Sequence, residues 1–335
     1  MKPSPFSVED ALSEIKRLVL RHHSFVLLEH QKPDGDCIGS GLALVQALQS
    51  LGKQALLVSH DPHPAVYDFL PGKEFHTRAQ YIEPEDFHAD VAIFIDCTDP
   101  SRAGKGLDLA GDSVWVNIDH HVSNSGFGDV SLVCPQAAAT GEIIYRLLGT
   151  LDVPITKEIA TCLYVAIATD TGGFRYQNTT RATFEIAGAL TGYGANPWEL
   201  AELIFETRSV SSVLLLGKAL NTLRVSRGGK LATVAVTRDM MAQAGASPDE
   251  TEGIVSYPRS ISGVEVSLFF REMEDGSGFH VSLRSRSKVD VSMIAVRLGG
   301  GGHPRAAGAL VAGTLEEATQ KVLAILDELD IWTDS

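Results

Sequence analysis

The run Asp119-His120-His121 places a carboxylate and two imidazoles directly behind the apolar stretch Val114-Trp115-Val116-Asn117-Ile118. A hard oxygen donor beside two nitrogen donors suits a transition metal better than a salt bridge. The apolar stretch reads as a buried strand, and groups just past the carboxyl end of a strand in an α/β sheet face the crevice where ligands bind. A histidine pair on a solvated loop would look the same in isolation, so the reading depends on how other strands end.

Other elements end alike. Phe25-Val26-Leu27-Leu28 leads into Glu29-His30-Gln31-Lys32-Pro33-Asp34-Gly35-Asp36, where Pro33 and Gly35 predict a turn that brings His30, Asp34 and Asp36 together. The apolar run Val91–Ile95 closes on Asp96, an acid whose burial is costly without a partner or a cation. Asp170 ends a helix carrying Ile159, Leu163, Tyr164 and Ile167, just before Gly172-Gly173. A carboxylate there opposes the helix dipole and calls for a cation. His30, Asp34, Asp36, Asp96, Asp119, His120, His121 and Asp170 are about the donor set that two divalent ions need, with one carboxylate bridging. Mixed Asp and His ligands without thiolate lean toward Mn²⁺, with Mg²⁺ or another divalent ion admissible.

Neighbouring features carry less chemistry. Gly39-Ser40-Gly41 either lets a helix N-terminus approach an anion or lets a helix and a strand pack closely. Cys37 and Cys97 adjoin candidate ligands but read as packing residues, since no partner base is indicated. His22 and His23 read as a solvated helix end, and His60, His63, His76 and His88 as surface residues.

The elements that must position these groups follow from periodicity. Helices are predicted after Ser7, after Gly41, around Ile143–Leu148 and from Thr156, with strands at Ala55–Val58 and Val130–Val133. Beyond Arg227-Gly228-Gly229-Lys230 the pattern changes: strands near Leu231–Val236, Val264–Arg271 and Gly278–Ser285 alternate with helices around 237–244, 291–298 and 315–329. The expected organisation is residues 1–190 as a metal-binding domain, 191–224 as a helical connector and 225–335 as a second, smaller α/β domain. That second domain holds Arg284 and the run Gly299-Gly300-Gly301-Gly302-His303, which reads as an anion nest flanked by bidentate arginine donors.

Composition bounds the partners. With 335 residues, 44% hydrophobic and 21% charged, the chain can bury two cores. A formal net charge of −14 argues against an extended groove for long DNA. No apolar run is long enough to span a membrane, and no signal core follows the N-terminus, so a cytoplasmic protein is expected. The cysteines (Cys37, Cys97, Cys134, Cys162) are too scattered for a disulfide framework or a zinc ribbon.

The motifs His30-x-x-Pro33-Asp34-Gly35-Asp36, Asp96, Asp119-His120-His121 and Asp170 resemble the DHH phosphoesterase superfamily, and Gly300-Gly301-Gly302-His303 resembles its DHH-associated C-terminal domain. The resemblance covers nearly the whole chain. It is most similar to the nanoRNase/pAp-phosphatase group, which degrades very short RNAs and removes the 3′-phosphate from 3′-phosphoadenosine 5′-phosphate (pAp). What this implies is an N-terminal parallel-sheet DHH domain plus a smaller C-terminal α/β substrate-binding domain, working with two Mn²⁺. One ion would be held by His30, Asp34 and Asp96, the other by Asp36, Asp96, His120 and Asp170. Asp119 would orient His120, and His121 would contact the scissile phosphate. Arg284, Gly300, Gly301, Gly302 and His303 would bind substrate. Short RNA oligonucleotides and pAp are the implied partners, and a homodimer is compatible with these features. The alternative on the same fold is a phosphodiesterase for cyclic di-AMP or its linear product pApA. A catalytically inactive nucleotide sensor would require a lost ligand, and none is lost.

Overall fold

The computed structural model describes residues 7–83, 87–124 and 126–329. Contacts divide the chain into two compact units, Met1–Thr207 and Arg208–Ser335.

In the first unit the apolar runs form six strands: β1 (Ser24–Glu29), β2 (Gln54–Ser59), β3 (His76–Arg78), β4 (Val91–Ile95), β5 (Val114–Asp119) and β6 (Val130–Val133). They lie in the order β3-β2-β1-β4-β5-β6, and every pair is parallel. Such strands are buried on both faces, which is why they read as continuous apolar runs rather than alternating ones. Phe25 and Leu27 of β1 enter one core, beneath the helices, while Val26 and Leu28 enter a second core on the opposite face. The helices are α1 (Val8–Arg21), α2 (Gly35–Ser50), α3 (Thr140–Thr150), α4 (Lys157–Asp170), α5 (Arg181–Gly192) and α6 (Pro197–Ala201). β2 and β3 lie on one side of β1 and β4 to β6 on the other, so the strand order reverses between β1 and β4. A ligand crevice forms at such a switch point, outside the carboxyl ends of the strands.

The second unit opens with α7 (Val210–Leu220) and β7 (Arg224–Ser226). β8 (Leu231–Val236), α8 (Arg238–Ala244), α9 (Ser256–Ser260), β9 (Val266–Glu272), β10 (Gly278–Ser285), α10 (Val291–Arg297), β11 (Gly301–His303), β12 (Ala306–Ala312) and α11 (Leu315–Glu328) follow. Its mixed sheet runs β11-β12-β10-β9-β8-β7. One face packs on α10 and α11 through Val281, Leu283, Ile294 and Val322, and part of the other packs on α7 and α8 through Val234, Phe269, Leu215 and Met241. Within 191–224, α6 belongs to the first unit and α7 to the second.

The structure changes two sequence expectations and decides between two alternatives at a third place. Gly35 and Asp36 are not in a turn: α2 starts at Gly35 because Asp34 caps it, its side chain accepting the N–H groups of Asp36 and Cys37 at 3.1 Å each. Gly39 and Gly41 serve packing, since a Cβ at Gly39 would strike the Cys162 carbonyl of α4 and one at Gly41 would strike Leu57. Gly301–His303 is not a free nest but an edge strand, paired antiparallel as Gly301↔Gly308, Gly302↔Ala307 and His303↔Ala306. A Cβ at Gly300 or Gly302 would run into the β12 backbone, so glycine is required there for close strand approach.

Candidate metal centre

The ends of β1, β4 and β5 deliver His30, Asp96 and Asp119-His120-His121 to the switch point. Asp34 and Asp36 come from the start of α2, and Asp170 from the end of α4. The structure brings them together as three overlapping groups, His30-Asp34-Asp96, Asp36-His120-Asp170 and Asp96-His120-His121, each with its ligand atoms within 4.8 Å.

Asp96 is the shared member. Its Oδ2 lies 3.6 Å from His30 Nε2, and its Oδ1 lies 3.6 Å from His120 Nε2 and 3.5 Å from His121 Nδ1. His120 Nε2 also stands 3.7 Å from Asp36 Oδ2 and 3.6 Å from Asp170 Oδ2. These separations are too long for good hydrogen bonds. They are what neighbouring ligands show around one ion with bonds of roughly 2.1 Å. The ring orientations agree. His30 Nδ1 lies 2.9 Å from the Gln31 carbonyl and His120 Nδ1 3.3 Å from that of Ala137, an arrangement that suits a proton on Nδ1 and a lone pair on Nε2, the nitrogen that faces the carboxylates. Lone pairs aimed at lone pairs require a proton or a cation between them.

Electrostatics point the same way. Burial, then Asp96 and Asp170, push the Asp36 carboxyl well above its ordinary range. Burial raises Asp170 to about 6 despite His120 nearby. Asp96 alone is held low: burial opposes its ionisation, but His30, His120 and His121 surround it. So dense a set of carboxylates cannot all ionise without added positive charge. The donors are those of a divalent-ion site, and they fit one.

The centre is held by residues that the sequence did not single out. Asp36 accepts the backbone N–H groups of Thr140 (2.7 Å) and Gly141 (3.0 Å) at the start of α3, and the Ser40 hydroxyl at 3.1 Å. Thr140 Oγ1 donates to Asp96 Oδ1 at 2.8 Å. Asn178 Nδ2 donates to the carbonyls of Ala138 and Asp170 at 3.0 and 3.1 Å, tying the end of α4 to the loop that receives His120. One segment, Ala137–Gly141, thus positions ligands from four other elements, Asp170 of α4 through Asn178. Its only sequence signal is a threonine opening a helix pattern after three alanines.

Asp119 departs from its expected task. Its Oδ1 accepts His121 Nδ1 at 2.7 Å and the backbone N–H groups of His120 and His121, while Oδ2 accepts Asn124 Nδ2 at 2.5 Å. It therefore fixes the ring of His121, not that of His120. Burial works against a charged His121, but the Asp119 bond and the nearby Asp96 outweigh it and raise the imidazole to about 9. Side-chain exposure is 58% at Asp34, 32% at Asp170 and 22% at His121, against 1% at Asp36 and 3% at Asp96, so ligand approaches from the Asp34, Asp170 and His121 side.

His76 is not the surface residue expected: its Nε2 lies 2.9 Å from the carboxylate of the fully buried Glu29. Cys37 and Cys97 are buried with their thiols pushed well up by burial, as packing residues should be. In the second unit, register aligns Arg284, Ala306 and His303 across β10, β12 and β11. Arg284 alternates with the buried Val281 and Leu283. The side chain of His303 lies outside the described residues.

Comparison with known proteins gives the family. The model for the DHH family, N-terminal domain, matches residues 24–167, and that for the DHHA1 domain matches residues 228–329. The bifunctional oligoribonuclease and PAP phosphatase NrnA of Thermus thermophilus is 40% identical over 90% of this chain and 88% of its own. Cyclic-di-AMP phosphodiesterase GdpP of Geobacillus thermodenitrificans is 26% identical over 92% of this chain but only 48% of that protein. Among solved structures, an exopolyphosphatase-related protein from Bacteroides fragilis superposes with a TM-score of 0.90 at 27% identity, covering 96% of each chain. Family and donor cluster together point to divalent metal binding. The cluster at the switch point, the paired domain matches and the 40% identity make one statement: this chain belongs to the DHH family of phosphoesterases and carries the family's DHHA1 domain.

Proposed function

We propose that the protein uses two Mn²⁺ ions to hydrolyse short oligoribonucleotides to mononucleotides and to remove the 3′-phosphate of pAp, in the cytoplasm. The observation that carries this is the division of the Asp96 carboxylate, with Oδ2 turned to His30 and Oδ1 to His120. One ion falls to His30, Asp34 and Asp96, and the other to Asp36, Asp96, His120 and Asp170. When bound, such ions neutralise charge building on a phosphoryl group and activate the attacking water. His121, its ring anchored through Nδ1 by Asp119, is the group assigned to contact a phosphoryl oxygen. Asp34 and Asp170 lie on the open side, where substrate enters. Catalysis is assigned to residues 1–190 and substrate binding to 225–335, through Arg284, Gly300, Gly301, Gly302 and His303, with 191–224 joining them. The name of the Thermus thermophilus relative supports both substrates.

A cyclic di-AMP or pApA phosphodiesterase is the second reading, favoured by the likeness to GdpP and weakened because the chain spans about half of that protein. One side-by-side assay separates them: Mn²⁺-loaded protein with pAp, a dinucleotide, cyclic di-AMP and an RNA of roughly 24 nucleotides, a length beyond a single short-strand site. The proposal expects pAp and the dinucleotide to be consumed fastest. Cyclic di-AMP in first place would replace it with the second reading.

A further inference from the structure

We infer that Arg102 binds the phosphoryl group presented to the metal centre, an inference that rests on the phosphoesterase reading. Arg102 lies in the 3₁₀ segment Pro100–Leu109, which follows β4. Its position is fixed by the backbone: its N–H donates to the Asp99 carbonyl at 3.1 Å, and its carbonyl accepts the N–H of Gln31, next to His30, at 2.7 Å. The guanidinium packs against a candidate ligand, with Nη2 3.2 Å from His30 Nδ1, the ring nitrogen turned away from Asp96. That contact engages at most one of the guanidinium's five N–H donors, and His30 Nδ1 also faces the Gln31 carbonyl at 2.9 Å.

No carboxylate pairs with the rest. Arg227, Arg238 and Arg297 each pair with an acid, but among the described residues Arg102 forms no ion pair, although the chain carries a net charge of −14. Its side chain is exposed, so the donor fork faces solvent beside the candidate ligands. A planar fork of N–H donors at the edge of a metal centre matches the paired oxygens of a phosphoryl group. The carboxylates that hold the ions cancel much of their charge, which leaves a role for a cation that belongs to the substrate side. Arg102 is a binding residue in this assignment, distinct from His121 on the Asp119 side.

The test uses the full chain loaded with Mn²⁺ and inorganic phosphate as the probe, by titration calorimetry, with bound manganese measured in parallel. Arg102→Ala should weaken phosphate binding about ten- to a hundredfold, the scale of a charged hydrogen-bond pair, with manganese content unchanged. Arg102→Lys should recover part of the loss, keeping charge without the fork. Phosphate affinity within about twofold of wild type in Arg102→Ala overturns the inference, as does a parallel loss of manganese, which would make Arg102 a support for His30. The readout involves no nucleotide. Wild type that binds phosphate in an Arg102-dependent way yet cleaves none of the nucleotides refutes the functional reading and leaves Arg102 standing. Wild type that cleaves them, with phosphate binding unmoved in Arg102→Ala, refutes Arg102 alone.

Discussion

Replacing Thr140 with valine removes one hydroxyl from the interior of the centre and little else. The side chain is fully buried, its Oγ1 donates to Asp96 Oδ1 at 2.8 Å, and valine keeps the branched shape. The backbone N–H that Thr140 gives to Asp36 is untouched. Asp96 is itself only 4% exposed, so no water replaces the lost donor without local opening. A hydrogen bond to a charged group contributes roughly 1.5–3 kcal/mol, and about 1.4 kcal/mol is a factor of ten, so Mn²⁺ affinity should fall roughly ten- to a hundredfold. Partners behind metal ligands generally have effects of that size. Competition for Mn²⁺ against a chromophoric chelator measures it, with Thr140→Ser as the control that restores the hydroxyl. If Thr140→Val binds within about twofold of wild type, or if the serine variant is as weak as the valine, Thr140 does not hold the bridging carboxylate as argued.

Asp96→Asn should abolish turnover and lower bound Mn²⁺ while leaving the circular dichroism spectrum intact; near-normal activity would rule out a shared carboxylate. His121→Ala should reduce kcat about a hundredfold or more with manganese content retained, and a collapse in content like that of His120→Ala would mean that His121 is a ligand. The metal-free protein should lose stability as pH rises. The Asp170 carboxyl, raised to about 6, is protonated in the fold where it would be ionised in the open chain, so its contribution is lost between the ordinary carboxylate range and about 6. His121, raised to about 9, contributes below the ordinary histidine range, and that contribution is lost as pH climbs through about 9. Thermal melts in chelator from pH 5 to 9, repeated with Mn²⁺, should therefore show a metal-induced rise in Tm that grows with pH; a constant rise contradicts the charge crowding described here.

Much of this centre was legible because strands and ligands share one signal. An apolar run that stops at an acid or a histidine marks both a buried parallel strand and a group at its carboxyl end, so His30, Asp96 and His120 could be read together with the sheet. Asp36 is legible as a ligand but not as a helix residue, since Pro33 and Gly35 suggest a turn and only the Asp34 cap makes it the start of α2. The supporting contacts were not legible. Thr140 and Asn178 act through positions that only tertiary packing creates, and neither side chain has an unusual sequence setting. The glycine run illustrates the converse: four glycines suggest a nest, but crowding against β12 accounts for Gly300 and Gly302 without any ligand. Arg284 and His303 fall in register only because Ala306 lies between them in the sheet, a relation that spacing along the chain cannot disclose.

The segment Ala137–Gly141 also bears on how the protein comes to exist. Asp36 and the N–H groups it accepts are 104 and 105 residues apart in the chain, and Thr140 and Asp96 are separated by 44. No part of this arrangement can form from local structure, so it appears only after β1, β4 and β5 have aligned and α3 has docked. Asp170 and its tether Asn178 lie farthest along the chain of the groups involved. An ion met earlier would find solvated, independently moving carboxylates and no fixed imidazoles. On this geometry metal capture is expected to follow assembly, so that added metal should slow unfolding more than it speeds folding.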